Sequence, residues 1–223
     1  MGASEILILC AIFLFGGFVK GLLGIGLPAL LVGLLTFFYE PRFAVSLILF
    51  AIMATNIRQA VQGGHVFEIF RRYWLFSTIS VAFIFCVSIV GAAIPVPALL
   101  IFVGVGMTLF ALTSLFVDMP LLPPRYDKAA QVVAGLGSGV LGGLTAIWGP
   151  PLVIYLMSLH IERRAFVQAL GVIFAIQSLP LTLGFIVSGE LTLETAILSA
   201  GLLVPAFSGM YFGEKLRDRI DTK

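Results

Sequence analysis

Long apolar stretches, punctuated by isolated charges, make up most of this chain. Seven can be delimited, at 6–38, 43–61, 73–94, 98–117, 129–159, 165–187 and 195–212, with a polar stretch at 118–128 after the fourth. A helix needs roughly 20 apolar residues to cross a bilayer, and five of the seven fit one crossing. The segments 6–38 and 129–159 are too long for one upright span and too short for two full ones. Each carries glycine and proline near its middle: Gly21, Gly24, Gly26 and Pro28 in the first, Gly142, Gly143, Gly149, Pro150 and Pro151 in the second. Proline removes a backbone donor and glycine tolerates the turn, so both segments are expected to be broken helices. Such breaks survive at membrane depth only where protein or a water-filled cavity satisfies the freed backbone groups. The expected fold is an all-α polytopic membrane protein.

Composition agrees with the pattern. Of 223 residues, 60% are hydrophobic and 11% charged, against about 25% charged in a soluble domain. This excludes a soluble enzyme, a nucleic-acid binder and a disordered segment, and the net charge of +2 is too small to suggest a polyanionic partner. Cys10 and Cys86 lie within apolar runs and are expected to serve as small core hydrophobes. The first segment lacks the basic flank of a signal peptide and is expected to belong to the mature protein.

The distribution of lysine and arginine chooses between topologies. Lys20 and Arg58 fall within apolar segments, and the other eleven basic residues lie between them. If each long segment crossed once, four basic residues would lie on one side and seven on the other. If each enters and returns, Arg42 lies alone on one side and ten residues share the other. The positive-inside rule selects the second arrangement. It puts the N-terminus outside, Glu190 and Glu194 in an outside loop, and the Lys223 end inside.

The chain also repeats itself with an offset of 122 residues. Gly17 aligns with Gly139, Gly21 with Gly143, Pro28 with Pro150, Glu40 with Glu162, Arg42 with Arg164 and Gly91 with Gly213. Thr55-Asn56 falls opposite Gln177-Ser178. The first repeat (1–117) holds an odd number of crossings, so after the loop 118–128 the second repeat (129–223) starts from the opposite face. Inverted repeats of this kind are typical of secondary transporters, with the site at their interface near the midplane. The counterpart of segment 98–117 would follow Lys223, so the chain is expected to be a piece of a longer protein.

The interior charges point to an anion. No acidic residue lies deep in an apolar run, whereas Lys20 and Arg58 do. A Lys or Arg at mid-bilayer costs about 2.5–3.5 kcal/mol on insertion scales and calls for a compensating role. Pro28 and Pro150 are placed to open half-helices, whose N-termini present free N–H groups and about half a positive charge. The candidate substrate-binding residues are Lys20, Gly24, Gly26, Pro28, Asn56, Arg58, Trp148, Gly149, Pro150, Gln177 and Ser178. Simpler roles compete: Lys20 can snorkel to a headgroup, and Arg58 can anchor at the interface. The glycines can mark close packing, and Asn56, Gln177 and Ser178 can join helices. Trp148 can either gate the break or fill core volume.

Enzymatic motifs fail on context. His65 and His160 form no metal-site spacing. Gly137-Ser138-Gly139 lacks the upstream glycine of a nucleophile turn, and Gly137-x-Gly139-x-x-Gly142 follows no strand, as a dinucleotide site requires. No enzyme activity and no cofactor are expected. The expected partners are a small anion, the bilayer and a coupling ion, with no nucleic acid and no oligomeric state predicted.

Gly17-Phe-Val-Lys-Gly-Leu-Leu-Gly-Ile-Gly-Leu-Pro28 and Gly139-Val-Leu-Gly-Gly-Leu-Thr-Ala-Ile-Trp-Gly-Pro-Pro151 resemble the paired glycine-rich motifs of the TauE/SafE sulfite exporter family. The span spacing, the mid-chain polar loop and the ending Gly209-x-x-x-Gly213-Glu-Lys-Leu-Arg217 are similar too. The resemblance covers nearly the whole chain. It implies a bacterial inner-membrane transporter for sulfite, thiosulfate, an organosulfonate or a related small anion, often working by export, with about eight spans. Here Leu27 replaces a further glycine and Lys20 adds a charge. An anion channel and a non-transporting membrane subunit are the alternative functions.

Overall fold

The computed structural model describes residues 2–115 and 120–221. The end of segment 98–117, the start of the loop 118–128 and the Lys223 end therefore lie partly outside the described residues. The described chain is helical, in the order α1 (Ala3–Leu23), α2 (Leu27–Leu35), α3 (Pro41–Gly63), α4 (Val66–Arg72), α5 (Trp74–Gly91), α6 (Val96–Leu115), α7 (Asp127–Thr145), α8 (Gly149–Ser158), α9 (Arg163–Val187), α10 (Leu193–Gly201) and α11 (Leu203–Asp221). Among the described residues, five stretches are long and apolar enough to cross a membrane: Ser4–Leu23, Pro41–Gly63, Trp74–Gly91, Arg163–Val187 and Leu193–Arg219. Pro205 leaves the carbonyl of Gly201 without its helical donor, which accounts for the interruption between α10 and α11 within the last of these stretches.

Both long segments are broken, but not at their middles. The first arm takes 21 residues and the second nine in α1–α2, and α7–α8 divides into 19 and ten. Each forms a hairpin whose feet share one end of the bundle. The amide N–H of Leu122, just before α7, donates to the carbonyl of Ser158 at the end of α8, and the Tyr155 hydroxyl donates to Asp127 at 2.8 Å. In the first hairpin Gly16 faces Leu27 and Leu31. Tyr39, beyond α2, feels the charge of Glu5 in the first turn of α1; burial and then this carboxylate hold its phenol above the usual value.

Two ion pairs mark opposite ends of the bundle. Arg72, before α5, donates to Asp127 at 2.7 and 3.1 Å. At the far end of α5, Arg42 donates to the carbonyl of Ser88 at 2.7 Å and pairs with Glu190. The 18 residues of α5 separate these ends by about 27 Å at 1.5 Å per residue. The hairpin α1–α2 has its feet at the Arg42 end and α7–α8 at the Asp127 end.

Glycine sets the closest helix contacts. The parallel pair α1 and α11 is the tightest: a methyl on Gly17 or Gly21 would strike the carbonyl of Ala206 or Met210, and one on Gly209 or Gly213 that of Leu14 or Phe18. These small-x-x-x-small ridges let the backbones touch. In the same way α7 lies parallel to α5, with Gly139 on Phe83 and Gly143 on Val87. The glycines of the dinucleotide-like string are thus packing residues. Cys10 is partly buried, whereas Cys86 is exposed, which corrects its expected place in the core: it lies on α5 away from the face that α7 covers.

Candidate functional site

The first break is made by two left-handed glycines, Gly24 at φ 81° and Gly26 at φ 99°, with Pro28 in the first turn of α2. The second uses Ala146 at φ 60°, the counterpart of Gly24 in the repeat. The glycines expected to break this segment, Gly142 and Gly143, stay helical. The Ser138 hydroxyl donates to the carbonyl of Trp148 at 2.9 Å and the Thr145 hydroxyl accepts from the N–H of Ile147 at 3.1 Å. They satisfy freed backbone groups of the break from within.

Lys20 lies one turn before the first break and is 2% exposed, so it does not snorkel. Its ammonium donates to the Asn56 side-chain oxygen on α3, and the Asn56 amide nitrogen has no partner. A cavity of about 180 Å³ borders Lys20 and is also lined by Gly24, Gln59, Gln168, Glu214 and Arg217 among others. It shares Val167, Gln168 and Arg217 with a larger recess of about 540 Å³ that Arg163 and Arg164 also line. The cavity therefore lies at the end of the bundle that carries most of the arginines.

Arg58 is not free to meet a ligand. It donates to Glu214 at 2.6 Å and stacks over Phe207 at 5.9 Å. Glu214 also corrects the expectation of an interior without acids: α11 continues past Gly213 and turns this carboxylate inward, where it is 16% exposed. Since Arg58 occupies Glu214, Lys20 keeps a neutral partner.

On the other side of the first break, Gly26, Pro28, Trp148, Gly149 and Phe174 line a cavity of about 20 Å³, room for about one water. The two breaks meet here. Trp148 is 1% exposed, and its indole N–H, facing no acceptor, has no partner. Pro150 and Pro151 strip the first turn of α8 of donors, leaving the N–H of Gly149, whereas α2 keeps those of Leu27 and Ala29 beside Pro28. Gln177 is fully buried with both amide atoms unpartnered, one turn beyond Phe174 on α9. The Ser178 hydroxyl is spent on the carbonyl of Ala175 at 2.8 Å.

The structure thus brings Lys20 and Gly24 to one cavity, with Asn56 bonded to Lys20, and Gly26, Pro28, Trp148 and Gly149 to another; Pro150 and Gln177 line neither, and Arg58 and Ser178 are engaged elsewhere. Sequence reasoning missed Gln59, Gln168 and Glu214. Only Gln59 carried a signal, lying three residues after Asn56 and so on its face of the helix.

Broken-helix hairpins packed among membrane-length apolar helices make this a multi-pass membrane protein. The chain belongs to the sulfite exporter TauE/SafE family, whose model matches residues 9–223. No curated protein and no solved structure matches it.

Proposed function

We propose that the chain is a secondary transporter for a small anion, with sulfite, an organosulfonate or a related sulfur oxyanion or carboxylate as substrate. The observation that carries this is Lys20, buried at a helix break beside a cavity, with an amide oxygen in place of a counter-ion. A buried cation without a charged partner is costly, and an anion entering the cavity offsets that cost. Deeper in the bundle the Asn56 amide nitrogen, Gln177 and the indole N–H of Trp148 have unspent hydrogen bonds for an anion that passes the breaks, and the N-terminus of α2 adds its dipole. The smaller cavity holds no oxyanion as it stands, so passage requires the hairpins to part.

Inverted topology supports the same reading. Under the 122-residue offset α1 corresponds to α7 and α11 to α5, and the contacts α1–α11 and α7–α5 are such a swap. The hairpins' feet at opposite ends agree with it. We place the arginine-rich end in the cytoplasm of a bacterial inner membrane, with the N-terminus and Glu190 outside.

Purified protein in liposomes tests the proposal. Sulfite and sulfonate uptake should saturate, and Lys20→Ala should weaken anion affinity about tenfold or more, the loss of one charge-assisted hydrogen bond. Unchanged affinity for every anion removes Lys20 from the mechanism, and non-saturating flux without a coupled ion marks a channel.

A further inference from the structure

Arg42 opens α3 and reaches across the end of the bundle to Glu190, which follows α9. Its guanidinium also donates to the Ser88 carbonyl at 2.7 Å and lies 4.1 Å over the Phe185 ring, so one side chain ties α3, α5 and the α9–α10 turn together. The pair is nearly buried, with side chains 11% and 22% exposed. It is imperfectly satisfied, because Nε and Nη1 of Arg42 have no hydrogen-bond partner. A desolvated pair of this kind is strong while closed and carries a penalty that favours release once a competing arrangement exists.

The repeat supplies that arrangement. Adding 122 to Arg42 gives Arg164, which opens α9, and subtracting 122 from Glu190 gives Glu68, in α4 after α3. The second pair therefore has the same residue types at both of its positions. It is open. Glu68 is 74% exposed and meets His65 at 2.7 Å, Arg164 is exposed and lines the large recess, and no ion pair joins the two. Their elements, α4 and α9, are already in contact. The counterpart of Phe185 is Gly63, so the second pair lacks the ring that supports the first. This accounts for which of them is closed.

We infer that Arg42–Glu190 and Arg164–Glu68 are alternating latches, one at each end of the bundle, and that the closing of one accompanies the opening of the other. The present structure is the state with the Glu190 end locked and the Lys20 cavity accessible from the arginine-rich end. The inference rests on the transport reading, for it names the groups that seal each side of the proposed site.

Cross-linking in liposomes without substrate tests it, in a Cys10→Ser/Cys86→Ser background. With the Arg42–Glu190 latch intact, the pair Glu68→Cys/Arg164→Cys should cross-link slowly. Adding Glu190→Gln to it should raise its rate about tenfold, a population shift of one decade. The swap Arg42→Glu/Glu190→Arg, which keeps a closed pair, should return the slow rate and exclude simple misfolding. A rate unmoved by Glu190→Gln overturns the latch. Protein whose cross-linking rate responds to Glu190→Gln yet carries no anion keeps the latch and loses the transport reading. Flux that depends on Lys20 while that rate never responds loses the latch alone.

Discussion

Ala146 bends the second hairpin with a backbone conformation that costs an L-residue about 1 kcal/mol or more. Gly24, its counterpart, adopts the same conformation freely. Exchanging the two chemistries should therefore have opposite signs. Ala146→Gly should leave stability unchanged or raise it by about 0.5–1 kcal/mol, although the same change inside a helix costs that much. Gly24→Ala should destabilise, because the new methyl meets both the strain at φ 81° and Val167 Cγ1 at 3.3 Å. Thermal unfolding in one detergent, with all three proteins compared side by side, measures this. The contrast also shows where residue-level reading stops. Gly24-x-Gly26-x-Pro28 advertises its break, since each residue type has a backbone reason to be there, whereas Ala146 looks like any helix former. Its left-handed turn is imposed by the Ser138 and Thr145 hydroxyls and by the proline pair beyond, that is, by tertiary context.

Helices in this bundle meet through ridges of glycine on one side and backbone on the other, so the cost of a methyl depends on what lies opposite. Gly213→Ala would drive its methyl into the carbonyl of Phe18, and Gly209→Ala into that of Leu14. Neither can yield without separating α1 from α11, and each should cost about 3 kcal/mol. Gly104→Ala in α6 meets nothing within 4 Å and should be neutral or slightly stabilising. Monodisperse yield and melting temperature distinguish them. The α7–α8 hairpin is held differently, at its feet. Arg72 keeps the Asp127 carboxyl below its usual range, and this carboxylate also accepts from Tyr155 and Gln131. A depressed carboxyl contributes fully above its unfolded value of about 3.9 and loses that contribution as pH falls through the folded value. Amide-exchange protection factors in α7 and α8, that is, rates divided into the intrinsic rate at each pH, should thus be flat from pH 7 to 5 and fall below about pH 4. Asp127→Asn should remove the pH step and cost about 2 kcal/mol throughout, through the weakened acceptor for a buried hydroxyl. Both hairpins were legible as long apolar segments with helix breakers. The partner of each was not, because contacts such as Arg58 with Glu214 span 156 residues and leave no periodic trace. For the same reason Arg58 and Ser178 read as candidate ligands when their hydrogen bonds are already spent.

At the scale of the molecule, hydropathy and charge were the most readable features, since the bilayer constrains every residue that faces it and basic residues sort by side. That reasoning isolated Arg42 from the other loop cations, and the fold puts Arg42 beside Glu190 at one end while Arg72, Arg163, Arg164 and Arg217 gather towards the other. A cavity bordered by Lys20 and open towards this arginine-rich end draws anions by its field as well as by its fit. If this end is cytoplasmic, the accessible state presents the site to internal anion, the state an exporter loads. Single cysteines on a Cys10→Ser/Cys86→Ser background decide the orientation. In intact cells Ser188→Cys and Glu194→Cys should react with a membrane-impermeant maleimide, while Lys215→Cys and Gln168→Cys should react only after permeabilisation. Labelling of Lys215→Cys from outside would reverse the orientation, and with it the direction of loading, but would leave the hinged hairpins and the buried lysine where they are. Labelling of both ends from outside would mean that α3, α5 and α9 do not cross at all, and the two-sided site would fall with them.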